Sequence, residues 1–379
     1  MKRILYLVTM SMGTTSGAGL ATYAYYNAFC KLFPGMVDGA IAEHSCSGIC
    51  DGFIPIPDRS KIAALLSGSL HRYKAFLKKF LKKHGTDYSL CIVNGSVYAG
   101  DMMNLIHSYG IKIVVIHHNY EVEYFMTNKS SFTLWGHFPY LISKNEGNAY
   151  RKADYNLFLT KPDMEKCMDV YGQASGENHL IGVFEIMPRK FIPSKCLSDE
   201  TLILTGSLCT YQTIYSIINF EEEYFNLVKN EFPNLKIIMA GRNPSEVVLK
   251  LKEKHPNSIE VIANPDNMDD VMDMGNVYFC PTCIGGGLKL RVMDGLRKGL
   301  PVLTHKISAR GYEVFFDKPY FQVYDDVKSF IKGLKMIKAY IRGNGYGFQN
   351  EILKEYEMAF GFESGVNRLE GILGKKHYK

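Results

Sequence analysis

Three adjacent glycines, Gly285, Gly286 and Gly287, stand just ahead of Lys289, Arg291 and Asp294 in the run Ile284–Leu296. Glycines let a backbone approach a ligand with no Cβ in the way. The run reads as a loop feeding a helix, and the unpaired N–H groups and dipole at a helix start favour an anion such as phosphate. Cations in a first helical turn oppose that dipole. Lys289 and Arg291 make sense there if a phosphate or diphosphate sits between them. Asp294, one turn on, is placed to accept hydrogen bonds from ribose hydroxyls. A surface loop and an ordinary amphipathic helix fit the same letters, because a lone glycine-rich loop is a weak motif.

A second set of chemical groups follows the apolar run Ile111–His117: His117, His118, Asn119, Glu121 and Glu123. Residues released together at the carboxyl end of a strand sit where open α/β sheets build their sites. A histidine there can hold hydroxyl groups or shuttle a proton; polar residues capping the next helix are the bland alternative. Gly17-Ala18-Gly19 stands at another strand-to-helix turn, without the Lys-Ser/Thr that a Walker loop needs.

The elements that must position these groups repeat. Ile4–Thr9 is a continuous apolar run, expected as a buried parallel strand, with a helix from about Leu20 to Leu32 after it. Further strands are expected over Tyr88–Val93, Ile111–His117, Tyr155–Leu159 and His179–Val183. A stretch with Pro188 and Pro193 and little periodicity reads as a linker. A second series then starts with Thr201–Thr205 and the turn Gly206-Ser207, and continues through Leu235–Ala240 to Arg242 and through Val277–Cys280 to the glycine loop. Two half-chains of this kind predict an α/β protein of two doubly wound, Rossmann-like domains facing each other across a cleft.

The run from Gly285 to Pro301 resembles the donor-site segment of retaining glycosyltransferases of family four, which have the two-domain GT-B architecture. Many members carry a three-glycine loop, a basic residue where Arg291 stands and a glutamate where Asp294 stands. His118, Asn119 and Glu121 resemble the family's His-Asn-x-Glu stretch. The chain departs in having Asp294 for glutamate, Gly286 where many relatives have a first glutamate, and Gln212 in a region where relatives place cations.

The resemblance implies transfer of a sugar from a nucleotide-diphosphate donor to an acceptor hydroxyl, with retention, in cell-envelope polysaccharide or glycolipid synthesis. It implies His118, Glu121 and Arg291 as catalytic residues. Gly17, Gly19, Gly206, Arg242, Gly285, Gly286, Gly287, Lys289, Arg291 and Asp294 would bind the donor. The expected boundaries are an acceptor domain over 1–184, a linker over 185–200, a donor domain over 201–345, and a C-terminal helix over 346–379 that packs back on the first domain. The chain has no Asp-x-Asp triplet to hold a metal–diphosphate complex, so neither metal nor cofactor is expected. A sugar-nucleotide epimerase of the same architecture and a non-catalytic nucleotide-sugar-binding scaffold at the membrane are the alternatives.

Composition frames these readings. With 379 residues, 46% of them hydrophobic and 22% charged, the chain is long enough for two globular domains. A net charge of +6 is a mild bias towards acidic partners. The nine cysteines lack paired zinc-finger spacing and suit a reducing compartment. Ile4–Val8 is too short for a signal core or a span, so a cytoplasmic protein is expected. One long helix is expected from Lys61 to His84. Towards its end Arg72, Lys74, Lys78, Lys79, Lys82 and Lys83 interleave with Tyr73, Phe76, Leu77, Phe80 and Leu81. Such a face is either simply solvated or suits anionic lipid headgroups at the inner face of the plasma membrane. No recognised nucleic-acid-binding motif accompanies it, and no nucleic-acid partner is expected.

Overall fold

A computed structural model describes residues 2–9, 12–13, 17–42, 52–57, 73–127, 139–190, 201–344 and 347–374. The chain divides into two compact units. One takes in Met1–Met126, Phe132–Arg189 and Phe360–Lys379; the other takes in Thr127–Ser131 and Lys190–Ala359.

The first unit is built on a seven-stranded parallel sheet. Its strands are β1 (Arg3–Val8), β2 (Val37–Ala42), β3 (Ile54–Ile56), β4 (Tyr88–Asn94), β5 (Lys112–His117), β6 (Tyr155–Phe158) and β7 (Glu177–Leu180), in the order β3-β2-β1-β4-β5-β6-β7. β1 is central because both of its faces are covered: Ile4 through Val8 are all buried, as expected for a strand with helices on either side. The order reverses between β1 and β4, the switch point at which such sheets open a crevice beyond their carboxyl ends.

The second unit repeats the plan with β8 (Thr201–Ser207), β9 (Lys236–Arg242), β10 (Ile259–Ala263), β11 (Val277–Cys280), β12 (Val302–His305) and β13 (Phe321–Tyr324), in the order β10-β9-β8-β11-β12-β13. Its switch point lies between β8 and β11. Phe220, Phe279, Tyr324 and Phe330 pack together beneath it, with Phe330 edge-on to Phe279 at 5.7 Å and to Tyr324 at 5.0 Å.

The elements depart from the expectations in several places. The Lys61–His84 helix is seen over Tyr73–His84; positions 58–72, Arg72 among them, lie outside the described residues, as does most of the expected linker. The strands Val37–Ala42 and Ile54–Ile56 were not anticipated. Nor was a helix expected over Lys161–Tyr171: Thr160 caps it by accepting from the Asp163 N–H, and Pro162 sits in its first turn, where a missing N–H costs nothing. The stretch expected as a single terminal helix over 346–379 is broken at Gly361. The Phe348–Phe360 helix belongs almost wholly to the second unit, and the Phe362–Leu373 helix belongs to the first. A backbone near φ −60, ψ 154 at Gly361 turns the chain between them. That extended backbone is open to any residue; the packing that follows needs Gly365, since a Cβ there would lie 2.1 Å from the Phe184 ring.

Candidate functional site

Within the second unit, the glycine loop and the first turn after β8 come together at the switch point. Gly206, next to last in β8, has φ +127, and a Cβ there would stand 3.4 Å from the Arg291 guanidinium. Gly285 has φ +91, and a Cβ there would stand 2.4 Å from Gln212 Nε2. Both positions therefore need glycine for backbone conformation and, at Gly285, for close approach.

Arg291 opens the Arg291–Arg297 helix, and its Nη2 donates to Thr213 Oγ1 at 3.0 Å. Thr213 is buried in the first turn of the Tyr211–Phe220 helix. Arg291 Nη1 and Gln212 Nε2 are both buried and have no hydrogen-bond partner. Buried donors without acceptors each cost about 1–3 kcal/mol, so two around one glycine loop mark a place for an acceptor such as a phosphate oxygen.

The loop is held from three sides. The Cys283 N–H donates to Ser216 Oγ at 3.1 Å, Ser308 Oγ to the Thr282 carbonyl at 2.7 Å, and Tyr312 Oη to the Lys289 carbonyl at 3.0 Å. Lys289 Nζ folds back on the Gly286 carbonyl at 2.7 Å, bracing the glycine run. Asp294 accepts from Arg297 on its own helix. Arg242 is exposed at the end of β9, opposite Ser207 across the ladder.

Thus Gly206, Gly285, Gly286, Gly287, Lys289, Arg291 and Asp294 gather at one switch point. Gln212 and Thr213 join them. Gln212 stood out in the sequence only as a missing cation, and Thr213 not at all.

The first unit holds the other expected residues. Gly17 and Gly19 begin the Gly17–Leu32 helix. His118 is buried, with Nε2 2.7 Å from Asn94 Oδ1 at the end of β4. Asn94 Nδ2 donates to Tyr6 Oη at 2.6 Å, so its carbonyl end faces His118, which donates from Nε2. Burial lowers the His118 pKa to about 4, leaving the ring neutral at ordinary pH.

Glu121 opens the Glu121–Thr127 helix and is wholly buried. Its backbone N–H donates to the Glu146 carboxylate at 3.1 Å. Its own carboxyl oxygens have no partner of good geometry, although Asn119 slightly favours the charged form. Burial, then the neighbouring Glu146, pushes the Glu121 pKa upward, and burial does the same to Glu146. His118 and Glu121 therefore stand differently. His118 is an oriented neutral imidazole just past the carboxyl end of β5, and Glu121 is a carboxyl enclosed among other acids.

Structures of glycosyltransferases share this architecture over essentially the whole chain. The pneumococcal O-GlcNAc transferase GtfA, solved with UDP and GlcNAc, superposes with a TM-score of 0.66 at 10% identity, covering 100% of both chains. HepE of Anabaena, solved with UDP, gives 0.65 at 10% identity over 98% of this chain and 99% of its own. The lipopolysaccharide outer core galactosyltransferase WaaB, in its apo form, gives 0.68 at 8% identity over 98% and 99%. The chain has the GT-B fold.

In sequence, the chain matches an uncharacterized 44.6 kDa protein in a cps region of Klebsiella pneumoniae, 22% identical over 177 residues, which is 43% of either chain. No family model matches. Among the described residues of this GT-B chain, no helix is long and apolar enough to cross a membrane.

Proposed function

We propose that the protein is a glycosyltransferase that moves a sugar from a nucleotide-diphosphate donor to an acceptor hydroxyl with retention. One observation carries the reading. Arg291 Nη1 and Gln212 Nε2 are buried donors without partners beside a positive-φ glycine loop, at the switch point of a GT-B donor-type sheet. The leaving nucleoside diphosphate gains negative charge in the transition state, and fixed donors aimed at that charge are typically the largest single catalytic contribution. Arg291, held by Thr213, supplies the full positive charge. Gln212 supplies a neutral donor where relatives are expected to place a cation, and Lys289 braces the loop. His118 is the neutral group that would hold donor-sugar hydroxyls. Glu121, enclosed beside Glu146, is more economically a residue that shapes the His118 segment than one that touches sugar.

The acceptor is proposed to be a glycan or lipid-linked glycan of the cell envelope. The cps-region name of the sequence relative supports this, as does the lipopolysaccharide outer core named for the galactosyltransferase WaaB. Metal-independent turnover is proposed for the donor site, since its free groups are hydrogen-bond donors rather than ligands.

A membrane-surface location on the cytoplasmic side is supported by the Tyr73–His84 helix. That helix buries Tyr73, Leu77 and Leu81 and exposes Lys78, Lys79, Lys82 and Lys83. A groove of about 300 Å³ opens beside it, lined by Phe76, Phe80, Lys79 and Lys83 among others.

The reading is tested by incubating the protein with candidate donors, with and without an envelope-glycan acceptor, in the presence of EDTA. Nucleoside diphosphate released only when acceptor is present supports a transferase. Epimerised donor without acceptor identifies an epimerase, and donor binding without turnover identifies a scaffold.

A further inference from the structure

The first unit contains a buried set of metal-ligand atoms that the donor chemistry does not use. A ring nitrogen of His117, a carboxylate oxygen of Glu146 and Sγ of Cys167 lie within 4.8 Å of one another, and all three residues are wholly buried. They come from the end of β5, the Pro139–Lys152 helix and the Lys161–Tyr171 helix.

The orientation of His117 is fixed from behind. Asn156 Nδ2 donates to the Tyr150 carbonyl at 3.0 Å, an atom that only accepts, and to Asn178 Oδ1 at 3.1 Å. Asn156 Oδ1 must therefore face His117 Nε2, 2.9 Å away, and Nε2 carries the proton. The remaining lone pair is on Nδ1, which is buried and has no partner. A histidine that donates one ring N–H to an oriented carbonyl and leaves the other nitrogen bare has the arrangement of a metal ligand with its supporting shell.

Glu121 adds a second independent observation. Both of its carboxyl oxygens are buried with no hydrogen-bond partner of good geometry, and its N–H rests on the Glu146 carboxylate. Tyr171 Oη, at 2.8 Å, and Ser96 Oγ, at 3.2 Å, hold Glu146 in turn.

We propose that His117 Nδ1, Glu146 and Cys167 Sγ bind one structural zinc ion inside the first unit, with a water molecule as the fourth ligand. One nitrogen, one sulfur and a carboxylate oxygen suit zinc among the common divalent ions. Bonds of about 2.0–2.3 Å place tetrahedral ligand atoms about 3.5 Å apart, so the set closes by about 1 Å on the ion. Binding takes the proton from the Cys167 thiol, which leaves to solvent, and forms the zinc–thiolate bond without any redox change. The ion offsets two negative charges among buried acids and pins the His117–Glu121 segment that presents His118. It takes no part in the metal-free diphosphate chemistry proposed above.

The test uses the full chain, purified without a histidine tag or chelator and analysed for metal by mass spectrometry. About one zinc per chain is expected, and stripped protein should recover a higher thermal midpoint when zinc is returned. Cobalt titrated into stripped protein should give a near-ultraviolet thiolate charge-transfer band. Cys167→Ser should lose the band, and Glu146→Gln should keep it with weaker metal binding. If Cys167→Ser does not fold, the wild-type band still decides. Wild-type protein that carries no divalent metal, shows no cobalt band and has the same midpoint with and without chelator overturns the proposal.

Discussion

Arg291 donates from Nη2 to Thr213 Oγ1 at 3.0 Å, and this bond leaves Nη1 buried with no protein partner. The side chain is thus held by one nitrogen and offered by the other. A guanidinium pre-oriented in this way loses little freedom when an oxyanion arrives.

Arg291→Ala is expected to lower kcat/KM for donor by about 10²–10³, the usual cost of removing one oxyanion donor. Arg291→Lys should recover only part of it, because an ammonium cannot bond Thr213 and a phosphate in one plane. Steady-state kinetics with saturating acceptor measures both. Equal kcat/KM in wild type and Arg291→Ala would remove Arg291 from the site.

Gly285→Ala should destabilise the protein by about 1–3 kcal/mol through its positive φ and should weaken nucleotide binding by displacing Gln212. Gly371→Ala is the control. Its Cβ meets nothing within 4 Å on an exposed helix face, so a gain of about 0.5–1 kcal/mol is expected. Urea midpoints of the two variants should move in opposite directions.

The glycine run, Lys289, Arg291 and Asp294 are neighbours in sequence, so their shared chemistry could be read from residue types alone. The doubly wound plan was legible because β1, β5, β8 and β11 are apolar runs followed by small or polar turns. Thr213 was not legible, since its tie to Arg291 crosses 78 positions and depends on side-chain direction. Nor was the meeting of His117 with Glu146 and Cys167, which the folding of two helices brings about. Val37–Ala42 escaped because Val-Asp-Gly-Ala-Ile-Ala has little strand propensity; pairing with β1 decides it. The cap Thr160-Lys-Pro-Asp163 was visible as letters, but the short apolar content of the following helix hid it.

His305 gives a pH prediction in the second unit. Burial, with Lys306 adding to it and Asp325 opposing it, lowers its pKa to about 4. Its Nδ1 accepts from the Ile307 N–H at 3.2 Å, a bond that only the neutral ring can make. A base whose folded pKa is depressed supports the fold above its unfolded value near 6.5 and loses that support as pH falls towards 4. Unfolding in this window should take up about one proton at His305, and His305→Asn should flatten the acid limb of the stability curve. A limb unchanged by the substitution would contradict the assignment.

The cationic helix is tested with vesicles. Lys79→Glu combined with Lys83→Glu should weaken partition onto anionic vesicles at least about tenfold, given about 1 kcal/mol per cation near such a surface, and added salt should weaken the wild type similarly. Neutral vesicles should bind neither protein. Equal partition of wild type and variant would remove the membrane role.

The central claim, a nucleotide-sugar site at the glycine loop, is tested most directly by thermal stability against a panel of nucleoside diphosphates and their sugars, with wild type and Arg291→Ala side by side. A ligand at a hundredfold excess over its dissociation constant adds about 2.7 kcal/mol to the folded state. The account predicts that one base family, with uridine diphosphate the first to try, raises the wild-type midpoint and leaves Arg291→Ala unmoved. A panel in which no nucleotide shifts the wild type, or in which both proteins shift alike, would contradict it.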